Sequence, residues 1–365
     1  MIYFIKIGSD KVEALDNKCP ACGAKITFNP ENQMWDCEYC GSKFTLDEMK
    51  KHSNASSDDS NSNVDKFKKL DGLDVYTCKN CGAEVMADET TTSTFCVYCG
   101  STAILKDRIN DGIAPTKIIP FKKVKDEATK AFISLSKGRP LMPKLFNNKE
   151  NVKKVSGVYI PFWKYDLNVN GNLDFDCKDI KTWSDYNYNY TKTDTYLAKR
   201  NADLNFNNIL VDGSSRFNDD LMDSLEPFRL EELVEYNHAY LSGFLAEKYD
   251  VKSEDAVTRA NKRAMNSSID VVRESVVHQT KVPVNNSLNI TCKYTDYILL
   301  PVWMVNIKYK EKDYTFAMNG QTGEIVGNIP LDMMKTILIS IGIFIMSFIV
   351  CFLIMSLWGI EWESL

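Results

Sequence analysis

Apolar positions along the chain mostly come in short bursts, but one stretch has no polar punctuation at all. From Thr336 to Ile360 no charged residue occurs in 25 positions, and Ile, Phe, Leu and Met fill every side. At ~1.5 Å rise per residue such a helix is roughly 37 Å long, against about 30 Å of bilayer hydrocarbon. It has no polar face to turn to water. The pattern predicts a transmembrane helix over 336–360, with Trp358 and Trp362 suited to an interfacial belt. A buried core helix is the competing reading, and the length and even hydrophobicity weigh against it.

From about Ile113 to Asp332 the periods are mixed and predict an α+β domain with antiparallel strands, 113–332. Ile118-Ile119-Pro120-Phe121 reads as a short strand. Ala128, Ala131, Phe132 and Leu135 recur at helical spacing over Asp126–Ser136. Asp250 to roughly Val277 reads as a second helix, with Ser253 as N-cap and Glu254 and Asp255 in the first turn. Tyr186, Tyr188 and Tyr190 alternate with Asn, as in a strand with one aromatic face. A faint repeat relates Tyr159-Ile160-Pro161-Phe162-Trp163 to Leu299-Leu300-Pro301-Val302-Trp303. Each copy has a proline at a strand start, then a tryptophan, then an expected turn, at Asn170-Gly171-Asn172 and at Glu311-Lys312-Asp313. Convergent strand chemistry explains this, and so do two equivalent hairpins in one sheet.

The N-terminal third carries a clearer repeat. Of 11 cysteines, eight fall in four C-x-x-C pairs. Cys19, Cys22, Cys37 and Cys40 make the first set. Cys78, Cys81, Cys96 and Cys99 make the second, at identical spacing. Gly23 and Gly82, Ala24 and Ala83, Tyr39 and Tyr98, Gly41 and Gly100 also correspond. Paired knuckles of this kind present four thiolates to one tetrahedral metal, and sulfur-only closed sites favour structural zinc. Iron in a sulfur site and redox C-x-x-C chemistry are the alternatives. Four pairs in register argue against redox action, which uses single pairs. The glycine after each second cysteine (Gly23, Gly41, Gly82, Gly100) permits the positive φ that turns backbone amides toward the sulfurs. The expectation is therefore two small β-rich zinc ribbons, at 15–50 and 71–108, with two Zn²⁺ per chain. Ser53–Asn63 between them has a single apolar residue. A flexible linker over 51–70 follows, which would let the ribbons move independently.

Charge narrows the partners. The chain has 44 basic and 49 acidic residues, net −5, so no general pull toward nucleic acid exists. Residues 1–50 carry six Lys/Arg against eight Asp/Glu, and residues 71–108 three against six. Neither ribbon has the basic stripe that phosphate contacts need. No G-x-x-x-x-G-K-[ST] or H-E-x-x-H motif occurs, and His52, His238 and His278 lie in dissimilar contexts. Cys177 and Cys292 fall in strand-like contexts, Cys351 inside the apolar helix, and Glu231-Glu232 reads as a solvated helix face. No catalytic residue or small-molecule cofactor is expected. The short apolar start, Met1–Ile7, lacks the pattern of a signal peptide.

With these residues in hand, the chain resembles a bacterial membrane protein family with transcription-factor-IIB-type zinc ribbons. The matching features are the doubled C-x-x-C ribbons, Tyr159–Trp163, Glu226-Pro227-Phe228, Tyr240–Asp250, Leu300-Pro301-Val302-Trp303 and Asn319-Gly320-Gln321-Thr322-Gly323. Lys79 departs from Pro20 of the first module without touching ligation. Members are sometimes labelled primosomal-helicase-like, which the missing nucleotide loop contradicts. The resemblance implies association with stomatin-like or phage-shock-type membrane proteins. The functional expectation is a non-enzymatic, tail-anchored, single-pass adaptor or scaffold. It would recruit or sense protein partners at the cytoplasmic membrane face, with the N-terminal domains in the cytoplasm. The alternative is a membrane-anchored, nucleic-acid-binding or regulatory zinc-ribbon protein.

Overall fold

The computed structural model describes residues 18–53, 74–78, 84–87, 104–108, 113–135, 139, 141–143, 155–309, 312–327 and 329–357. The first cysteine module comprises β1 (Thr27–Asn29), β2 (Met34–Asp36) and β3 (Lys43–Phe44), an antiparallel sheet in that order, then helix α1 (Leu46–Ser53). A capping box starts α1. Thr45 N donates to Glu48 Oε2 at 2.8 Å, and Glu48 N donates to Thr45 Oγ1 at 3.4 Å. The helix runs three residues past the module boundary expected at 50, because Asp47 and Glu48 favour its first turn and no breaker follows.

The rest is organised on one 12-stranded sheet. Its elements are β4 (Asp74–Cys78), β5 (Glu84–Ala87), β6 (Ile104–Arg108), β7 (Lys117–Ile118), α2 (Lys125–Ser134), β8 (Ser156–Ser184), β9 (Asn189–Asp212), α3 (Asp219–Asp223), β10 (Val234–Glu235), β11 (Leu245–Glu247), α4 (Ser253–Glu274), β12 (Thr280–Asn286), β13 (Asn289–Tyr309), β14 (Lys312–Asn319) and β15 (Ile325–Gly327). Strand order is β10-β7-β13-β8-β11-β5-β4-β6, with β9 and β12 also on β8, β14 on β13 and β15 on β14.

A local two-fold organises the centre. β8 and β13 pair antiparallel, and Ile160 pairs with Leu300, its own counterpart in the sequence repeat. Each strand forms a hairpin, β8–β9 and β13–β14. Each also takes a parallel neighbour, β11 on β8 and β7 on β13. The tryptophans are exchanged across the axis. Trp163 Nε1 donates to Val251 O at 2.9 Å, and Trp303 Nε1 donates to Lys123 O at 2.8 Å. Backbone bonds repeat too: Gly213 N to Pro161 O and Gly320 N to Pro301 O, both 2.8 Å. Gly213 O then accepts from Asp250 N and Val251 N, and Gly320 O from Lys122 N and Lys123 N. The domain is thus two β-α-β-β units, β7-α2-β8-β9 and β11-α4-β13-β14, and the two prolines and tryptophans are their shared signature.

β8, β9 and β12 continue beyond the centre as an arm. Residues Val158–Tyr165 are buried on both faces; from there on burial alternates. Tyr165, Leu167, Val169, Leu173, Phe175 and Cys177 face α4, and Asp166, Asn168, Asn170, Asn172, Asp174 and Asp176 face away. Helix α4 lies close because its buried stripe is small: Ala256, Ala260, Ala264, Ser268 and Val272. Arg259 pins it to the end of β9 through Asp212, 2.6 Å away.

Four local expectations are corrected. Asn170-Gly171-Asn172 is no turn, since β8 passes straight through it. Gly171 has φ +140°, and a Cβ there would sit 2.2 Å from Ser287 O, so the glycine admits the β12–β13 junction instead. Tyr186 and Tyr188 lie in the turn closing β8–β9, and only Tyr190 is in a strand. Asp185 makes that turn by accepting from Asn187 N at 2.9 Å and Tyr188 N at 2.8 Å. Ser253 is the first residue of α4, whose N-cap, Lys252, makes no side-chain cap bond. Glu232 sits in a 3-10 turn, not on a solvated helix face; it pairs with Lys122 at 2.8 Å and accepts from Gln321.

Helix α5 (Met333–Leu357) follows β15. Its stretch Met333–Ile354 is long and apolar enough to span a membrane, and none of those residues is buried. Trp358 and Trp362 lie outside the described residues.

Candidate metal centre

Two matching knuckles hold the first four cysteines. Cys19 N donates to Ala24 O at 2.7 Å and Gly23 N to Cys19 O at 2.8 Å. In the second, Cys37 N donates to Ser42 O and Gly41 N to Cys37 O, both at 2.9 Å. Gly23 and Gly41 have φ of +72° and +70°, with open space where a Cβ would sit, so backbone conformation alone selects glycine there.

The sulfurs converge. Cys19 Sγ and Cys40 Sγ are 3.6 Å apart, as are Cys22 Sγ and Cys37 Sγ, and all four lie within 4.8 Å of one another. A disulfide needs about 2.04 Å, whereas a tetrahedron with Zn–S of about 2.3 Å has edges of roughly 3.8 Å. The donor set and its spacing therefore fit one zinc ion. Cys19 and Cys37 are buried, and Cys22 and Cys40 are exposed. The Ser42 hydroxyl and backbone pull the Cys40 thiol down to about 6. At Cys22 the Ala24 backbone donor is outweighed by desolvation and three neighbouring sulfurs, which push it up to about 12. Four thiolates repel one another at this range, and a divalent cation is the species that lets them coexist.

The module is not free to move. Trp35 is fully buried, and its Nε1 donates to Ala239 O at 2.8 Å. Phe28, Trp35 and Tyr240 form a ring cluster with centroids 5.0–5.2 Å apart. Phe28 N donates to Ser242 O at 3.1 Å, and Gln33 Nε2 to Phe121 O at 2.9 Å. The expected independent motion is thereby corrected for the first module. Its small apolar interior is completed by the large domain.

The second set lies mostly outside the described residues. Cys78 ends β4 and is buried; Cys81, Cys96 and Cys99 are not described. The surrounding strands β4, β5 and β6 extend the main sheet, because β5 pairs with β11 through Met86↔Ala246 and Val85↔Glu247. One segment, 239–247, therefore receives both modules. Within Tyr240–Asp250, a segment that carries the family resemblance, Tyr240 takes its place in the buried contacts with Trp35. The other flagged residues do not join the centre. His278 Nδ1 lies 2.9 Å from Asp179 Oδ2 on the arm, and His238 is buried 3.4 Å from Tyr236 OH. Cys177 is buried under α4, while Cys292 and Cys351 are exposed.

YdjG, an uncharacterized protein of Bacillus subtilis (strain 168), is 36% identical over 321 residues, covering 86% of this chain and 89% of its own. The chain belongs to the YdjG family. A match of that extent runs far beyond the cysteine modules into the two-fold sheet. No family model matches the chain, and no solved structure matches it.

Proposed function

We propose that the protein is a membrane-tethered zinc-ribbon adaptor or scaffold that recruits or senses protein partners at the cytoplasmic face of the membrane. The observation that carries this reading is the seating of the first four-sulfur centre on the large sheet by Trp35 and Tyr240. It is a closed site with all four positions taken by protein, so it has no open coordination position for substrate. Cys19, Cys22, Cys37 and Cys40 hold one zinc. Cys78, Cys81, Cys96 and Cys99, at the same spacing, hold the second. Helix α5 is the anchor, and the acidic cysteine modules favour protein over nucleic acid as partner. Stomatin-like or phage-shock-type membrane proteins are the partners that the family resemblance offers.

The test uses the detergent-solubilised full chain. Metal analysis is expected to give two zinc ions per chain, with no ATP hydrolysis. Partner proteins captured by the wild-type chain and identified by mass spectrometry are expected to be lost from Cys22→Ser. Submicromolar binding to DNA or RNA with a steep salt slope would overturn the adaptor reading in favour of a nucleic-acid-binding role.

A further inference from the structure

Strand β9 forms the outer edge of the arm and, among the described residues, pairs with β8 alone. One row of its backbone N–H and C=O groups therefore faces outward. From Asn189 to Phe206 the register to β8 runs without a shift, and the stretch contains no proline. Bulges, prolines, short length and charged side chains are the usual devices that blunt an edge; of these the stretch carries only the charges, Lys192, Asp194, Lys199, Arg200 and Asp203. In the other β-α-β-β unit the corresponding strand, β14, has its outer edge covered by β15.

We propose that the β9 edge is the contact surface for a second copy of this chain, the two β9 strands pairing antiparallel about a two-fold axis at Leu197. Charge selects this occupant and register. With Leu197 opposite Leu197, Asp194 faces Arg200 of the other copy, and symmetry makes that ion pair twice. Lys192 then faces Ala202, Thr195 faces Lys199 and Thr191 faces Asp203, so no like charges oppose. Neighbouring registers are worse. Centring on Tyr196 sets Lys192 against Arg200, centring on Ala198 leaves Asp194 opposite Ala202, and centring on Lys199 sets lysine on lysine. Parallel in-register pairing would oppose every charge to itself, which is destabilising for directly facing side chains. Leu197 is 58% exposed on the face away from α4, which pairing with its own copy would relieve. Asp194 now contacts Lys192 at 3.0 Å, and Arg200 contacts Ser275 Oγ at 3.2 Å. The first is an exposed pair that costs little to exchange.

Charge reversal tests the register directly. The molar mass of the full-length chain in detergent is measured by light scattering over a dilution series, for wild type, Asp194→Arg, Arg200→Asp and the double variant. Wild type is expected to be dimeric. Each single reversal sets like charges opposite at two places and should weaken the dimer at least about tenfold. The double reversal restores both ion pairs and should restore the dimer, which mere misfolding of the single variants would not. A monomeric wild type, a dimer unmoved by the single reversals (as pairing through α5 would give), or a double variant that stays dissociated would each overturn the proposal.

Discussion

Removing the indole of Trp35 takes away a hydrogen bond to Ala239 O and ring contacts to Phe28 and Tyr240 together. Trp35→Ala is expected to cost about 3–5 kcal/mol, read by chemical denaturation. Amide hydrogen exchange should rise jointly in 27–36 and 239–244, because the two stretches share one interface. Trp35→Phe keeps ring area and loses one of the two donors to Ala239 O, which still accepts from Ser242 N at 3.0 Å, so about 0.5–1.5 kcal/mol is expected. At the arm's tip, Asp185 has its carboxyl held below the ordinary 3.8 by the Asn187 N–H, the Tyr188 N–H and the Tyr190 hydroxyl. A depressed carboxyl stabilises the fold above its unfolded value and loses that contribution as pH falls through its folded value. The turn should therefore hold at neutral pH and loosen only below 3.8. The Tyr188 amide proton shift, followed by NMR, should titrate with a midpoint under that value, and Asp185→Ala should abolish the titration.

The elements bear the marks of duplication at two levels. Cys22→Ser removes one ligand of a closed set, and the zinc content is expected to fall from two per chain to one, because the second set keeps its own four cysteines. The close seating of α4 gives a second expectation. Ala260→Leu puts a branched side chain into a stripe of alanines against β8, and overpacking should destabilise by about 1–3 kcal/mol, measured by urea unfolding. Much of this was legible in the sequence. The cysteine spacing marked the knuckles, the helical spacing of Ala128 and Phe132 marked α2, and the matching Pro-x-Trp segments marked the two hairpins. Other features were hidden for identifiable reasons. Asn-Gly-Asn looks like a turn from local propensity, but Gly171 serves a long-range contact with Ser287 that no local window contains. The docking of the first module depends on Trp35 meeting residues some 200 positions later in the chain, and pair contacts of that separation leave no periodic trace.

At the scale of the molecule, the sheet ends in an apolar helix. A chain cut after Pro330 is expected in the soluble fraction and the full chain in the membrane fraction; retention of the shortened chain would move the anchor elsewhere. Protease added outside intact cells is expected to spare the cysteine modules. The strand order also has a mechanical side. From β6 an unbroken ladder of hydrogen bonds leads through β4, β5, β11, β8, β13 and β14 to β15, and β15 leads into α5. A pull on α5 enters this ladder at β15, its last rung. β15 holds β14 by three residue pairs, whereas β13 and β14 share eight. Beyond those, Asp332 N to Leu141 O and Lys335 Nζ to Met142 O steady the junction. Tension on α5 would peel β15 from β14 before it reached the eight-pair β13–β14 seam, like a fuse, and leave the central sheet and the first sulfur centre behind it undisturbed.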